Sequence, residues 1–428
     1  MKHKSRPFWE RAKTLLIVLL ACSALYLAAV TLIPGGPAGL WGRLFVRGDG
    51  DGLPGSGGQQ TFRSDTLWPA ALAVTGQEGR YVLLYDQAEL ESYTQTSALL
   101  AEALSSAGTP SPISSSQWRR ALSGEGIYLE YLGDLPLDDL SRWLAGQDNP
   151  ALSGFQSRRI LVGEGQLCFY DESRSGAYAA ALSVPLTQGL DDLAQSLSPN
   201  GGRFAFEETE ARRLRPETLL RASTPSMAAL SADTPIAVTE DGVPNDALSR
   251  LLRVLSFHPQ TNPLYAIPGG WAINDGGDTL RISSQGVVTF RQSEAEPRFP
   301  AGDHPLDAAR TLAEQTVGAL CGDARLFLRS AAEENGVTTV TFGYAYLGGA
   351  IQVGDEGWCV QLKLEGGAVS SLTLYPRHYT ALAEDTVLLP QEQAAAAITD
   401  RGVWAMRVCY EDRRDGTTLE PFWAASRA

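Results

Sequence analysis

The run TLLIVLLACSALYLAAVTLI, residues 14–33, decides how the rest of the chain is interpreted. It carries no charge and is about 20 residues long, so as a helix it would just cross the ~30 Å hydrocarbon core of a bilayer. Five basic residues precede the run, whereas residues 34–40 after it carry no charge. Because basic flanks stay in the cytoplasm, the sequence predicts a single-pass anchor in the cell membrane, with a cytoplasmic N-terminus and an extracytoplasmic body.

Two alternatives for this run stay open. The small residues Ala24, Ala28 and Ala29 could mimic the cleavage site of a signal peptide, although the apolar region of such a peptide spans only about 7–15 residues. Residues 19–22, LLAC, loosely resemble the lipobox of a bacterial lipoprotein, but the apolar run continues well past Cys22. The length of the run therefore favours an uncleaved anchor.

Charge restricts the partners of the body. The chain of 428 residues has a formal net charge of −14. Its first thirteen residues hold five bases and one acid, a net of +4, so the remainder carries −18. Nucleic acids and anionic lipid head groups bind cationic surfaces, so the sequence predicts neither as a partner of the body. A body of about 390 residues is long enough for two to three domains.

Cysteine usage is sparse. Cys22 lies in the apolar run, and four more cysteines lie in the body without any CxxC pair. This number is too small for a disulfide scaffold, so we expect small buried thiols. A single disulfide bond, for example between Cys321 and Cys359, remains an alternative.

Short helix and strand patterns alternate along the body. Residues 114–116 offer N-caps for a helix, and Gly163-Glu164-Gly165 has the spacing of a hairpin turn. In residues 337–347, large apolar side chains alternate with smaller or more polar ones, which is typical of a strand. Because several strands are joined by tight turns, the sequence predicts an α+β class: a single N-terminal transmembrane helix followed by extracytoplasmic domains of largely antiparallel sheets with packed helices.

Composition changes along the chain predict its division. The predicted segments are a cytoplasmic tail at 1–13, the transmembrane helix at 14–33, a Gly/Pro-rich linker at 34–60, an N-terminal extracytoplasmic α+β domain at 61–224, a second linker at 225–245, a central α+β region at 246–303 and a C-terminal α+β domain at 304–428.

Motifs for catalysis or cofactor binding do not stand out. The four histidines are scattered, neither HExxH nor GxSxG occurs, and the sequence has neither GxGxxG after a strand nor GxxxxGK[ST]. Adjacent carboxylates could serve a glycosidase, but in an acidic protein they are more typical of solvated faces. These pairs are Asp138-Asp139, Asp191-Asp192 and Glu333-Glu334. The sequence predicts no enzyme, no cofactor and no metal site.

The predicted anchor carries the candidate functional residues. Ala24 and Ala28 form a small-xxx-small pair, and Thr31 lies on the same helical face. Small residues let two transmembrane helices approach closely. We therefore hypothesise a helix–helix contact through Ala24, Ala28 and Thr31.

The last hundred residues carry a family resemblance. The segments are YAYLGGAIQV at 344–353, LTLYPRHYT at 372–380, LLP at 388–390 and LEPFW at 419–423. With the short basic tail and single anchor, they resemble the YycH family, with a C-terminal region similar to YycI and PepSY modules. The resemblance implies a non-enzymatic membrane-anchored regulator of a WalK-type two-component sensor histidine kinase, acting through transmembrane contact. It implies the kinase and a YycI-like paralogue as partners and offers no catalytic residue.

Two other functions remain as alternatives. One is a PepSY-type cell-envelope binding or inhibitory module, whose soluble body would keep its activity without the helix. The other is a cell-wall hydrolase that uses a pair of the acidic residues.

Overall fold

A computed structural model describes residues 67–84, 90–221, 226–293, 296–398, 402–413 and 418–427. These residues contain seven α-helices: α1 Leu90–Ser106, α2 Ser115–Ser123, α3 Leu137–Ala145, α4 Thr187–Ser196, α5 Asp246–Val254, α6 Pro305–Gln315 and α7 Gln391–Ala396.

The strands of the N-terminal half are β1 Ala71–Gly76, β2 Gly79–Leu84, β3 Ser111–Ile113, β4 Gly126–Pro136, β5 Gln156–Gly163, β6 Gln166–Asp171, β7 Gly176–Ala181, β8 Arg203–Phe204, β9 Leu219–Leu220 and β10 Ser226–Asp233. Those of the C-terminal half are β11 Tyr265–Ile267, β12 Gly270–Asp275, β13 Asp278–Ser283, β14 Val288–Arg291, β15 Arg325–Glu334, β16 Val337–Tyr346, β17 Gly349–Val353, β18 Val360–Glu365, β19 Ala368–Leu374, β20 His378–Val387, β21 Trp404–Asp412, β22 Thr418–Leu419 and β23 Phe422–Arg427.

The first large sheet has the strand order β2-β1-β4-β5-β6-β7-β3, and each of its ladders is antiparallel. One face packs on α1 and α3, where Leu104 and Leu140 are fully buried. The other face is covered by α2 through Trp118 and Leu122. Helix α2 begins where the sequence predicts, because Ser114 forms a reciprocal capping box with Gln117.

The second large sheet contains eleven strands in the order β11-β12-β13-β14-β19-β18-β16-β17-β21-β23, with β15 paired to β16. It therefore combines strands from the predicted central region and from the predicted C-terminal domain. Strands β17 and β21 run parallel, with Ala350 opposite Cys409. The other ladders of this sheet are antiparallel.

The two large sheets meet where β4 crosses β15. A Cβ atom added to Gly133 would lie 2.0 Å from the carbonyl oxygen of Leu328, so only glycine fits at this crossing. A second contact joins α3 to α6, because Arg142 donates hydrogen bonds of 3.0 Å to both carboxylate oxygens of Asp307. The described residues all lie within one compact unit, Phe62–Ala428.

Strand β10 lies inside the range 225–245 that the sequence predicts as a linker. It is the central strand of a small sheet, β20-β10-β22, and its Met227 and Leu230 side chains are buried. Alanine and serine between these side chains give the segment the composition of a loop, although its apolar residues fit a strand. The predicted division of the body into domains otherwise stays a prediction.

The predicted α+β class with largely antiparallel sheets is confirmed. The predicted tail, anchor and first linker, residues 1–60, lie outside the described residues. Among the helices that the structure does describe, none has both the length and the apolar composition needed to cross a bilayer. Cys168, Cys321, Cys359 and Cys409 are buried free thiols, as expected.

Candidate functional site

The predicted contact residues Ala24, Ala28 and Thr31 lie outside the described residues, so the helix–helix contact stays a prediction. Within the described ranges, histidine, cysteine and acidic side chains do not gather into a group of three or more that could hold a metal ion. The candidate site is therefore a cleft in the described part of the body.

A cleft of about 1,210 Å³ opens between the end of β10, the turn after β13, the end of β17 and the link between β19 and β20. We call it the Arg377 cleft. The residues that line it and matter below are Thr234, Ile236, Trp271, Ile282, Ser283, Asp355, Glu356, Tyr375, Arg377, Glu411 and Arg413.

A buried ion pair forms the base of this cleft. Arg377 donates from Nε to Asp412 Oδ2 at 2.6 Å and from Nη2 to Asp412 Oδ1 at 2.9 Å. Its Nη1 donates to the hydroxyl oxygen of Thr234 at 2.8 Å, so all three guanidinium nitrogens are engaged. Asp412 is fully buried and also accepts the Tyr379 hydroxyl at 2.9 Å. The pair therefore ties β10, the β19–β20 link and β21 together.

Electrostatics keep the Arg377 guanidinium charged. Burial alone would lower the pKa of Arg377, but the hydrogen bonds and charge of Asp412 raise it above its ordinary value. Burial, and after it the Asp412 carboxylate, raises the pKa of the Tyr379 phenol, which keeps the hydroxyl protonated as a donor. Arg377 is thus a fixed structural cation rather than a group free to bind a ligand.

Tyr344 fixes the segment that carries Arg377. Its hydroxyl donates to the carbonyl oxygen of Tyr375 at 3.0 Å and accepts the backbone N–H of Arg377 at 3.2 Å. Its ring packs edge-to-face on Tyr379, with centroids 5.2 Å apart. The backbone of this wall is therefore held from beneath by a buried tyrosine.

The open part of the cleft is suited to binding. Ile236 and Ile282 are buried apolar residues of its wall, and Trp271 is half-exposed beside them. Asp355 and Glu356 are exposed and form no ion pair with any described residue. Ser283 is not poised as a nucleophile, since its Oγ accepts the backbone N–H groups of Gln285 and Val287 and closes a turn.

The sequence analysis missed the pairing at the base of the cleft. The segment LTLYPRHYT, quoted for its resemblance, contains Arg377 and Tyr379, but their common partner Asp412 lies 35 residues after Arg377 in the chain. The one indication of this pairing in the sequence was that charged residues stand close to tyrosines in strand-like segments. None of the three adjacent acidic pairs that the sequence singled out lines the cleft.

Comparison with known proteins gives one informative match. Neither a family model nor a curated protein matches the chain. The crystal structure of YycH from Bacillus subtilis matches its fold, with a TM-score of 0.52 and 12% sequence identity over 85% of this chain and 94% of that chain. At the level of the fold, this match confirms the resemblance to YycH that the C-terminal segments of the sequence predicted.

Proposed function

We propose that this chain is a non-enzymatic, membrane-anchored extracytoplasmic regulator of a two-component sensor histidine kinase. The observation that carries the proposal is the likeness to the YycH fold, which extends over almost the whole of that protein and most of this chain. The apolar run at 14–33 supplies the anchor, and its basic flank supplies the orientation. In this proposal, the anchor contacts the transmembrane helix of the kinase through Ala24, Ala28 and Thr31, and the body provides a second contact.

A deletion strain tests the regulatory role. A reporter driven by the kinase's response regulator should change its output when the gene is deleted and recover when the whole chain is restored. The proposal predicts that residues 1–33 alone restore much of the output. Unchanged output of every sensor kinase in the deletion strain would contradict regulation.

Cysteine cross-linking in the membrane tests the anchor contact. Cys22 is first replaced by serine, and single cysteines are then introduced as Ala24→Cys, Ala28→Cys or Thr31→Cys. Tyr26→Cys is the matched control, because at 100° per residue it lies on the opposite helical face. We expect the three variants to cross-link to a kinase and the control not to do so. Equal cross-linking at all four positions would argue against a defined contact face.

The Arg377 cleft favours a second candidate, a PepSY-type binding module of the cell envelope. Its Trp271 packs partly on the core and leaves the rest of its ring exposed, and aromatic side chains of this kind are enriched at interfaces; Asp355 and Glu356 are exposed beside it. This candidate predicts that the body, released from the anchor, keeps its activity and that Trp271→Ala abolishes it. Loss of activity on release from the membrane would leave the kinase proposal in place.

A further inference from the structure

A second, smaller cavity lies apart from the Arg377 cleft. Its volume is about 70 Å³, and it lies between β4 and β5 of the first sheet and β21 and β23 of the second. We call it the Glu130 pocket. The polar side chains that line it belong to Glu130, Tyr131, Arg158, Arg215, Thr218, Gln391, Arg407 and Ser426.

Two of its arginines already have carboxylate partners. Arg158 donates to both oxygens of Asp134, at 2.9 and 2.8 Å, and therefore has little capacity left for a ligand. Arg215 donates from Nη1 to Glu172 at 2.8 Å, and it shares that carboxylate oxygen with Arg159.

Glu130 and Arg407 differ from these arginines. Both are half-buried, and neither forms a side-chain hydrogen bond or an ion pair with another described residue. Burial raises the pKa of Glu130, and this effect outweighs the nearby charges of Arg159, Arg158 and Arg407. A carboxylate and a guanidinium thus line one cavity without satisfying each other. Their polar atoms reach solvent, so a ligand that brings an opposite charge to each would replace water there with charge-assisted hydrogen bonds.

The size of the pocket restricts that ligand. One water molecule needs about 10–15 Å³ of cavity volume on this scale, so the pocket of about 70 Å³ holds about five to seven non-hydrogen atoms. Glycine has that many, with an ammonium group at one end and a carboxylate at the other. Ser426 is exposed, so solvent reaches the rim of the pocket.

We propose that the Glu130 pocket binds a small zwitterion, a free amino acid of about the size of glycine, with its ammonium group on Glu130 and its carboxylate on Arg407. Both pairs are charge-assisted hydrogen bonds, and the guanidinium can hold the carboxylate with two parallel bonds. This site is independent of kinase regulation and of the Arg377 cleft.

Titration calorimetry on the whole chain tests the proposal with three probes: glycine, acetate and methylamine. We expect heat of binding for glycine and none for either singly charged probe at the same concentration. Glu130→Gln and Arg407→Met should each weaken glycine binding about tenfold or more, because each removes one charge-assisted pair. Glu333→Gln and Arg281→Met are matched controls, since both residues are exposed and outside the pocket, and they should leave binding unchanged.

Other outcomes would overturn the proposal. Equal binding of acetate, lost in Arg407→Met and kept in Glu130→Gln, would make this an anion site. Absence of binding by all three probes would mean that water alone separates Glu130 from Arg407. If Arg407→Met fails to fold, Arg407→Lys keeps the charge but loses the two-bond geometry, and weaker glycine binding by this variant is again expected.

Discussion

Replacing Arg377 by methionine tests whether the buried pair holds the Arg377 cleft together. The change removes two hydrogen bonds to Asp412 and one to Thr234 while keeping most of the side-chain volume. Asp412, which is fully buried, would then lose its guanidinium partner while still accepting the Tyr379 hydroxyl. Removing one partner of a buried ion pair costs about 3–5 kcal/mol, because the other charge is left without compensation.

Urea unfolding of the whole chain, followed by tryptophan fluorescence, measures this cost as a shift of the midpoint at constant slope. Arg377→Lys keeps the charge without the two-bond geometry and should cost less than Arg377→Met. Arg413→Met is the matched control in the same cleft. Arg413 and Glu411 pair at 2.9 Å but are largely exposed, so no measurable change is expected.

A double variant separates the pair from its surroundings. Adding Asp412→Asn to Arg377→Met removes the carboxylate charge that has lost its guanidinium and leaves an amide oxygen for the Tyr379 hydroxyl. The double variant should therefore be more stable than Arg377→Met alone. If Arg377→Met loses less than about 1 kcal/mol, or if the second change makes the protein still less stable, the pair does not organise the cleft as argued here.

Three further predictions concern the scaffold. Burial raises the pKa of Asp139 to about 6 despite its ion pair with Arg142. Between about pH 4 and 6 the folded state thus holds a proton that the unfolded state has released. The free energy of unfolding should therefore fall as the pH rises from about 4 to 6, by at most ~1.4 kcal/mol per pH unit. Asp139→Asn should flatten this slope in urea titrations at each pH; an unchanged slope would contradict the assignment. Gly133→Ala should cost about 1–3 kcal/mol or more in thermal unfolding, whereas Gly165→Ala, with open space at its Cβ, should cost far less. Ser114→Ala should cost about 0.5–2 kcal/mol by the same measurement through loss of the α2 cap, and no loss would mean that the cap is dispensable.

Local features were predictable from the sequence. The Ser114 cap and the turn between β5 and β6 are each specified by residues a few positions apart, and both occur in the structure. The YycH-like fold was indicated by short segments of the last hundred residues. The cap and the turn share one property, which is that the physical cause of each lies within one short stretch of chain.

Non-local features were not predictable in the same way. Alternation in 337–347 suggests one buried face, yet Thr341 and Ala345 are buried along with Phe342 and Tyr344. Strand β16 lies inside the sheet and is covered on both faces, which no pattern within the strand records. The pairing of Arg377 with Asp412 likewise depends on where β21 lies in the sheet, and the Glu130 pocket depends on which strands of the two sheets meet.

The parallel ladder between β17 and β21 determines how late in synthesis the second sheet can be completed. The first sheet uses residues 71–181 alone, so a nascent chain can complete it early. In the second sheet, β17 has β16 on one side and gains its other neighbour only after residues 409–412 have been synthesised. Until then one edge of Ala350–Val353 has unpaired backbone N–H and C=O groups, which can pair with a strand of another chain. A stop codon shortly before residue 404 would make that exposure permanent, and we expect the truncated product to aggregate or be degraded although most of its sequence is intact.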